Sequence, residues 1–154
     1  MAILARTEGR EEQGMSEEHP HHSRVQAWVD LPRPADEVWA VIGPFAAIAE
    51  WHPSVASAEI VEIDGDIHRH LRLVDDELIL ERLIAEEPRL YRYEMVETPL
   101  PVENYHATFA CIPHEGGCRV FWTAVFDPLD PHAEEMIRTI QDLGLEGIRA
   151  SFAT

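Results

Sequence analysis

Hydrophobic and polar positions alternate along most of this chain, and the alternation predicts strands. Val25, Ala27, Val29 and Leu31 alternate with polar residues over Ser23 to Leu31, which predicts a first strand ended by Pro32-Arg33-Pro34. The period then changes. Pro34 suits a first helical position, Asp36 and Glu37 suit a helix N-terminus, and Val38, Trp39, Val41 and Ile42 predict a short helix stopped by Gly43-Pro44. A second short helix is expected over Phe45 to Glu50, broken at Trp51-His52-Pro53 because a residue before proline disfavours the helical region.

Period two then returns with turns at regular intervals. Strands are predicted over Val55 to Ile63, Ile67 to Val74, Leu78 to Ala85, Leu90 to Glu97, Val102 to Ile112 and Arg119 to Asp127. Asp64-Gly65, Asp75-Asp76, Glu87-Pro88, Pro99-Leu100-Pro101 and Gly116-Gly117 separate them. Asp130 and Pro131 predict the start of a final helix carrying Met136, Ile137, Ile140, Leu143, Ile148 and Phe152, with Gly144 and Gly147 weakening it. The order predicts an α+β fold with a long antiparallel meander. Residues 1–22 lack periodicity and are expected to be a disordered acidic tail, with Met15 as an alternative start. Residues 23–154 are expected to form a single domain.

One face of such a sheet should be covered and apolar. Leu71 and Leu73 share a face, as do Tyr91, Tyr93 and Met95, and Tyr105, Ala107, Phe109 and Cys111. The last strand is apolar on both faces, so Trp122 can point either way. Two charges break the inward pattern: Arg69 lies between Ile67 and Leu71, and Glu81 between Ile79 and Leu83. The strands carrying them are joined by a tight turn, so the two can meet. A charge on a covered face must be paired or near water, which leaves a polar patch in a cavity or an internal salt bridge at a wet sheet end. The tyrosines on that face suit an apolar pocket with polar handles.

Composition narrows the chemistry. In 154 residues, 29 acidic side chains face 12 basic ones, for a net charge of -17. That argues against nucleic acid and anionic lipid headgroups as partners. Every basic residue is Arg, which excludes lysine Schiff-base chemistry. There is no signal-peptide pattern and no apolar run long enough to insert in a membrane, so the expected location is cytoplasmic. Cys111 and Cys118 are then expected to be thiols. His19, His21 and His22 read as part of a floppy tail, and His68 and His70 as solvated surface residues. No metal and no cofactor is expected.

The run VDLPRPADEVWAVIGPFAAIAEWHP, followed by GDIHRHLRL, ERL and VENYHATFACIP, resembles the polyketide cyclase/dehydrase and lipid-transport proteins of the START-type (SRPBCC) helix-grip superfamily. The resemblance spans about residues 24–152 and its motifs are diffuse. It implies a helix-grip fold, in which a curved seven-stranded antiparallel sheet wraps on a long C-terminal helix, with two short helices after the first strand. It also implies a hydrophobic cavity between sheet and helix. By similarity to the plant abscisic acid receptors, distant members of the superfamily, His52 falls where a lysine meets the ligand's acid group. Arg69, Glu81, Tyr93 and Tyr105 fall on cavity-lining positions. The receptor gate sequence is replaced by Val74-Asp75-Asp76-Glu77 and the latch by Leu100-Pro101-Val102, so the hormone-receptor role does not carry over.

Two functions follow as expectations. The first, and the favoured one, is binding of a small hydrophobic ligand, lipid, polyketide-like or aromatic, including one with an acidic group. His52, Arg69, Leu71, Leu73, Glu81, Tyr91, Tyr93, Met95, Tyr105, Ala107, Ile140 and Leu143 would line the site. The second is a cyclase or dehydratase in which His52 or Glu81 is the acid-base group and Arg69 and Tyr105 stabilise an oxyanion. A third reading, a packed interaction protein, would show no pocket beyond a few waters, whereas ligand-sized cavities hold roughly a few hundred Å³. The assembly expected is a monomer or weak homodimer.

Overall fold

The computed structural model describes residues 22–153; residues 1–21 of the expected tail, with His19 and His21, lie outside them, and His22 is exposed with Nδ1 2.6 Å from Asp127 Oδ1. Seven strands form one antiparallel sheet: β1 Ser23–Leu31, β2 Val55–Ile63, β3 Asp66–Leu73, β4 Leu78–Glu87, β5 Leu90–Glu97, β6 Val102–His114 and β7 Gly117–Pro128. Their spatial order is β1-β7-β6-β5-β4-β3-β2, so six strands meander and β1 closes against β7. Between β1 and β2 lie α1 Ala35–Ile42, a single 3₁₀ turn Phe45–Ala47, and α2 Ile48–Trp51. The long helix α3 Ala133–Ser151 packs on the sheet's concave face, most extensively against β1. This is the helix-grip arrangement.

The burial alternates as the strand pattern predicts. Tyr91 and Tyr93 on β5 and Tyr105, Ala107, Phe109 and Cys111 on β6 face the core. The ambiguous β7 resolves with Cys118, Val120, Trp122, Ala124 and Phe126 inward. Trp122 therefore joins a set of rings on which Trp51 lies: Trp51 stacks on Phe109 with centroids 5.1 Å apart and meets Trp122 edge-on at 5.7 Å. Asn104 adopts a left-handed φ of 52° at a register shift between Glu103 and His106, a bulge that lets β6 bend around the helix.

Three local expectations are corrected. α3 begins at Ala133, not Pro131: Asp130 caps the His132 amide at 2.7 Å as expected, but a turn closed by the Ala133 amide on the Asp130 carbonyl at 3.1 Å comes before the helix. His68 is buried at 5% exposure: it sits between Val61 and Arg82 on the flanking strands, and its Nδ1 lies 3.0 Å from the Asp66 carbonyl. His70 is exposed. Leu143 is 43% exposed, because the helix presents Ile137, Gln141, Gly144, Leu145 and Ile148 to the sheet instead. Cys111 and Cys118 are free thiols, both buried, and burial pushes Cys111 up to about 12.

Gly144 and Gly147 are close-approach positions. A Cβ at Gly147 would lie 2.0 Å from the Trp51 carbonyl oxygen, and one at Gly144 would lie 2.7 Å from the His52 ring and 2.8 Å from Trp122. Two glycines one turn apart let α3 descend onto the Trp51-His52-Pro53 corner, a contact any side chain would hold off. Gly to Ala inside a helix ordinarily gains roughly 1 kcal/mol. Here Gly147→Ala is expected to cost at least about 2 kcal/mol by overpacking, read as a lowered urea midpoint at unchanged slope. A neutral or stabilising result would mean that the helix does not seat at this depth.

Candidate functional site

The inward charges meet as their strand register requires. Arg69 and Glu81 are directly opposite across β3 and β4. Arg69 Nε donates to Glu81 Oε1 at 2.7 Å, and its Nη1 donates to the Phe45 carbonyl at 2.7 Å and to the Tyr91 hydroxyl at 3.1 Å. Phe45 and Tyr93 lie against the guanidinium, with ring centroids 4.1 and 4.7 Å from its carbon. Arg69 has no exposed surface, and its Nη2 has no hydrogen-bond partner. Desolvation works against its charge, but Tyr91, Glu81 and Tyr93 outweigh it and hold the group protonated. Burial pushes the Glu81 pKa up while Arg69 pulls it back. Discharging Glu81 would strand a buried cation at a cost of several kcal/mol, so the two remain an ion pair near neutral pH.

Between this pair and α3 lies a narrow, largely apolar cavity of about 70 Å³. Its walls come from every layer: Leu71 and Leu73 on β3, Glu81 on β4, Tyr93 and Met95 on β5, Tyr105 on β6, Trp122 on β7, Ile137 and Ile140 on α3. The structure thus gathers His52, Leu71, Leu73, Glu81, Tyr93, Met95, Tyr105 and Ile140 around one space. The other four lie elsewhere. Tyr91 and Ala107 are on the inward face but off the cavity wall, Arg69 is enclosed by Phe45 and the tyrosines, and Leu143 faces solvent. Sequence reasoning missed Ile48, Ser54, Val55, Ile79, Leu100, Trp122 and Ile137 as wall residues. Ile79 shares its strand face with Glu81, so the alternation did contain that one.

Glu81 Oε1 is taken by Arg69, and Oε2 receives no donor among the described residues. The Tyr93 hydroxyl accepts from Trp122 Nε1 at 3.0 Å. Burial raises the pKa of Tyr93 and of Tyr105, so both hydroxyls stay protonated.

His52 lies inside the wall, 3% exposed. It follows α2 directly, held by the Trp51 stack and the α3 glycines. The Ser54 amide donates to its Nδ1 at 3.1 Å, and Nε2 lies 2.9 Å from the Ile140 carbonyl. An amide donor at Nδ1 requires a lone pair there, so the proton is on Nε2 and points at the carbonyl. Both nitrogens are committed and the ring is neutral. Burial lowers its pKa, the Ile140 bond opposes this, and the charge of Arg69 adds to the lowering.

Outside the cavity lies a groove of about 500 Å³, bounded by the Val74–Glu77 turn, Leu100 and the first half of α3. Groove and cavity share Ser54, Leu73, Leu100 and Ile140. The two spaces therefore adjoin at those side chains. Among the described residues, no group of three or more His, Cys, Asp or Glu side chains could hold a metal ion, and no helix is long and apolar enough to cross a membrane.

Against this geometry the comparisons are consistent. The profile of the family described as "Polyketide cyclase / dehydrase and lipid transport" matches residues 22–153. The structure is similar to that of the protein XoxI from Bacillus cereus, with a TM-score of 0.79 at 26% identity over 85% of this chain and 96% of that one. It is similar to the Zhui aromatase/cyclase from Streptomyces sp. R1128, with a TM-score of 0.70 at 19% identity over 86% and 94%. It is also similar to Ara h 8.0201, with a TM-score of 0.66 at 15% identity over 86% and 99%. No curated protein matches the sequence.

Two outcomes test the site's electrostatics. Arg69→Met alone should cost about 3–5 kcal/mol, whereas Arg69→Met with Glu81→Leu should recover most of the loss, because the lone charge is gone. Equal losses for single and double variants would mean the pair is not charged. For His52, the unfolded ring takes its proton near its ordinary pKa of about 6.5, above the folded value, so the stability this ring contributes is complete above that pH. It is lost as pH falls toward the folded value, at no more than about 1.4 kcal/mol per pH unit. The stability lead of the parent over His52→Gln in urea titrations should therefore shrink from pH 7.5 to pH 5. A constant or growing lead would contradict the neutral ring.

Proposed function

Because the chain belongs to the polyketide cyclase/dehydrase and lipid-transport family, we propose that it binds a small, mainly apolar molecule in the space between sheet and α3, entering from the groove beside Leu100. The observation that carries this is the shared lining: a narrow apolar cavity and an open groove have Ser54, Leu73, Leu100 and Ile140 in common. At about 70 Å³ the closed cavity takes a few waters and is about half the volume that admits benzene in an engineered core. Joined to the groove it reaches the volume that small-molecule sites require. The closed form is therefore the resting state of a gated site, and the ligand lies across the position of the wall. Taken alone, a void of a few waters is what a packed interaction core would show; the groove adjoining it is what favours binding.

The enzymatic reading, a cyclase or dehydratase, shares this cavity and requires a base with a free lone pair. His52 offers none while Ser54 and Ile140 hold it. Glu81 Oε2 offers one, with the Tyr93 and Tyr105 hydroxyls as proton donors on the same wall, so catalysis in this fold would centre on Glu81. Binding needs no further group, and it is the function we assign.

Leu100→Ala tests the gate. Removing a half-buried leucine should cost about 1–2 kcal/mol of stability and merge cavity with groove. Binding of 8-anilinonaphthalene-1-sulfonate is unsuitable because of its charge, so the probe is neutral N-phenyl-1-naphthylamine. Its affinity should rise at least about tenfold in Leu100→Ala, since the cost of opening is removed. Unchanged affinity would place the entrance elsewhere.

A further inference from the structure

The basic groups that could offset an acidic ligand's charge are spent, which leaves the Tyr93 and Tyr105 hydroxyls as neutral donors and Glu81 as the charge at the cavity. The cation nearest the cavity, Arg69, is behind the wall: its unbonded Nη2 has no accessible surface, and phenyl and phenol rings cover the guanidinium. His52 is neutral and its single N–H is held by the Ile140 carbonyl. No arginine lines either the cavity or the groove among the described residues. What the cavity does present is Glu81, whose Oε2 is an acceptor without a donor, beside the rings of Tyr93, Tyr105 and Trp122. The approaches repeat the sign. The groove carries Asp75, Glu77 and Glu135, with His132 already on Asp130 at 3.2 Å. A second cleft of about 590 Å³ lies where β5 and β6 splay apart, reaches Met95 and Tyr105 from the sheet side, and carries Glu94, Glu97 and Glu103.

We propose that the ligand of this cavity carries a hydrogen-bond donor at its buried end, a phenol, alcohol or ammonium group directed at Glu81 Oε2, and that carboxylates are excluded. This rests on the binding role proposed above and gives it a chemical class. A donor completes the buried carboxylate, and an ammonium would also meet the ring faces. A ligand carboxylate would set two anions side by side in a buried, mostly apolar space, so one would have to be neutralised. The acidic approaches lower its local concentration as well.

The test uses the full chain and four single-ring probes of similar shape: phenol, benzylamine, toluene and benzoate. They are titrated at pH 7 and low salt, with shifts of the Trp122 indole and neighbouring amides as readout. Phenol and benzylammonium should bind more tightly than toluene, and benzoate at least about tenfold more weakly than phenol. Benzoate within threefold of phenol would overturn the assignment while leaving the cavity as the binding site. No binding of any probe, in the parent and in Leu100→Ala alike, would overturn the cavity reading and this one with it. In the Arg69→Met/Glu81→Leu variant the preference for phenol over toluene should collapse to within about threefold. Its persistence there would show that Glu81 is not the acceptor, and would also overturn the proposal.

Discussion

A guanidinium with no exposed surface constrains everything around it. Arg69 must be satisfied from several sides at once, and the partners come from separate elements: Glu81 on β4, Tyr91 on β5 and the Phe45 carbonyl from the turn between α1 and α2. Nε and Nη1 point in different directions from one rigid plane, so the three partners are placed relative to one another and not merely bonded. A lysine, with one compact ammonium on a flexible stem, would not do this. The ring faces of Phe45 and Tyr93 cover what the hydrogen bonds leave. The pair thus ties the sheet register to the short-helix layer, and that layer carries His52 to the cavity wall. Its value is positional; an apolar replacement of both groups would not necessarily be less stable.

The second constraint is steric and acts from the other side. Gly144 and Gly147 let α3 meet the Trp51-His52-Pro53 corner at backbone distance. Once there, the Ile140 carbonyl is within reach of His52 Nε2, and that bond with the Ser54 amide selects one neutral tautomer. Charge and close packing thus produce the same result by independent routes. Both conspicuous basic groups of the interior become structural, and the cavity keeps one acidic group and aromatic walls.

Much of this was legible in the chain, for identifiable reasons. Period-two alternation located all seven strands, because a sheet with one covered face leaves a strong signal. The same alternation put Arg69 and Glu81 inward and opposite one another, which the register confirms. What it did not contain was depth. Facing inward does not distinguish a residue on a cavity wall from one sealed behind it, and Arg69, Tyr91 and Ala107 fall in the second group. β7 was apolar on both faces, so Trp122 had no readable direction until β1 and β6 flanked it. Gly144 and Gly147 read as weak helix formers because propensity is local, whereas their role depends on a corner some 90 residues earlier in the chain. Leu143 fits an apolar helical stripe, yet the stripe is rotated by the seating those glycines permit.

The size of the cavity then bears on affinity as much as on fit. A site that is closed at rest must open before it fills, and its apparent affinity falls by the fraction of molecules open. If moving Leu100 and its neighbours costs about 2.7 kcal/mol, about one molecule in a hundred is open and binding weakens about a hundredfold. A ligand offsets this only through contacts absent from the closed form. The apolar walls supply part, but any greasy molecule can use them. The bond to Glu81 Oε2 is different, because in the closed state that oxygen lacks a donor, so only a ligand carrying one gains it. The gate and the unpaired oxygen therefore act together: the first weakens every ligand alike, and the second returns binding free energy selectively to donors.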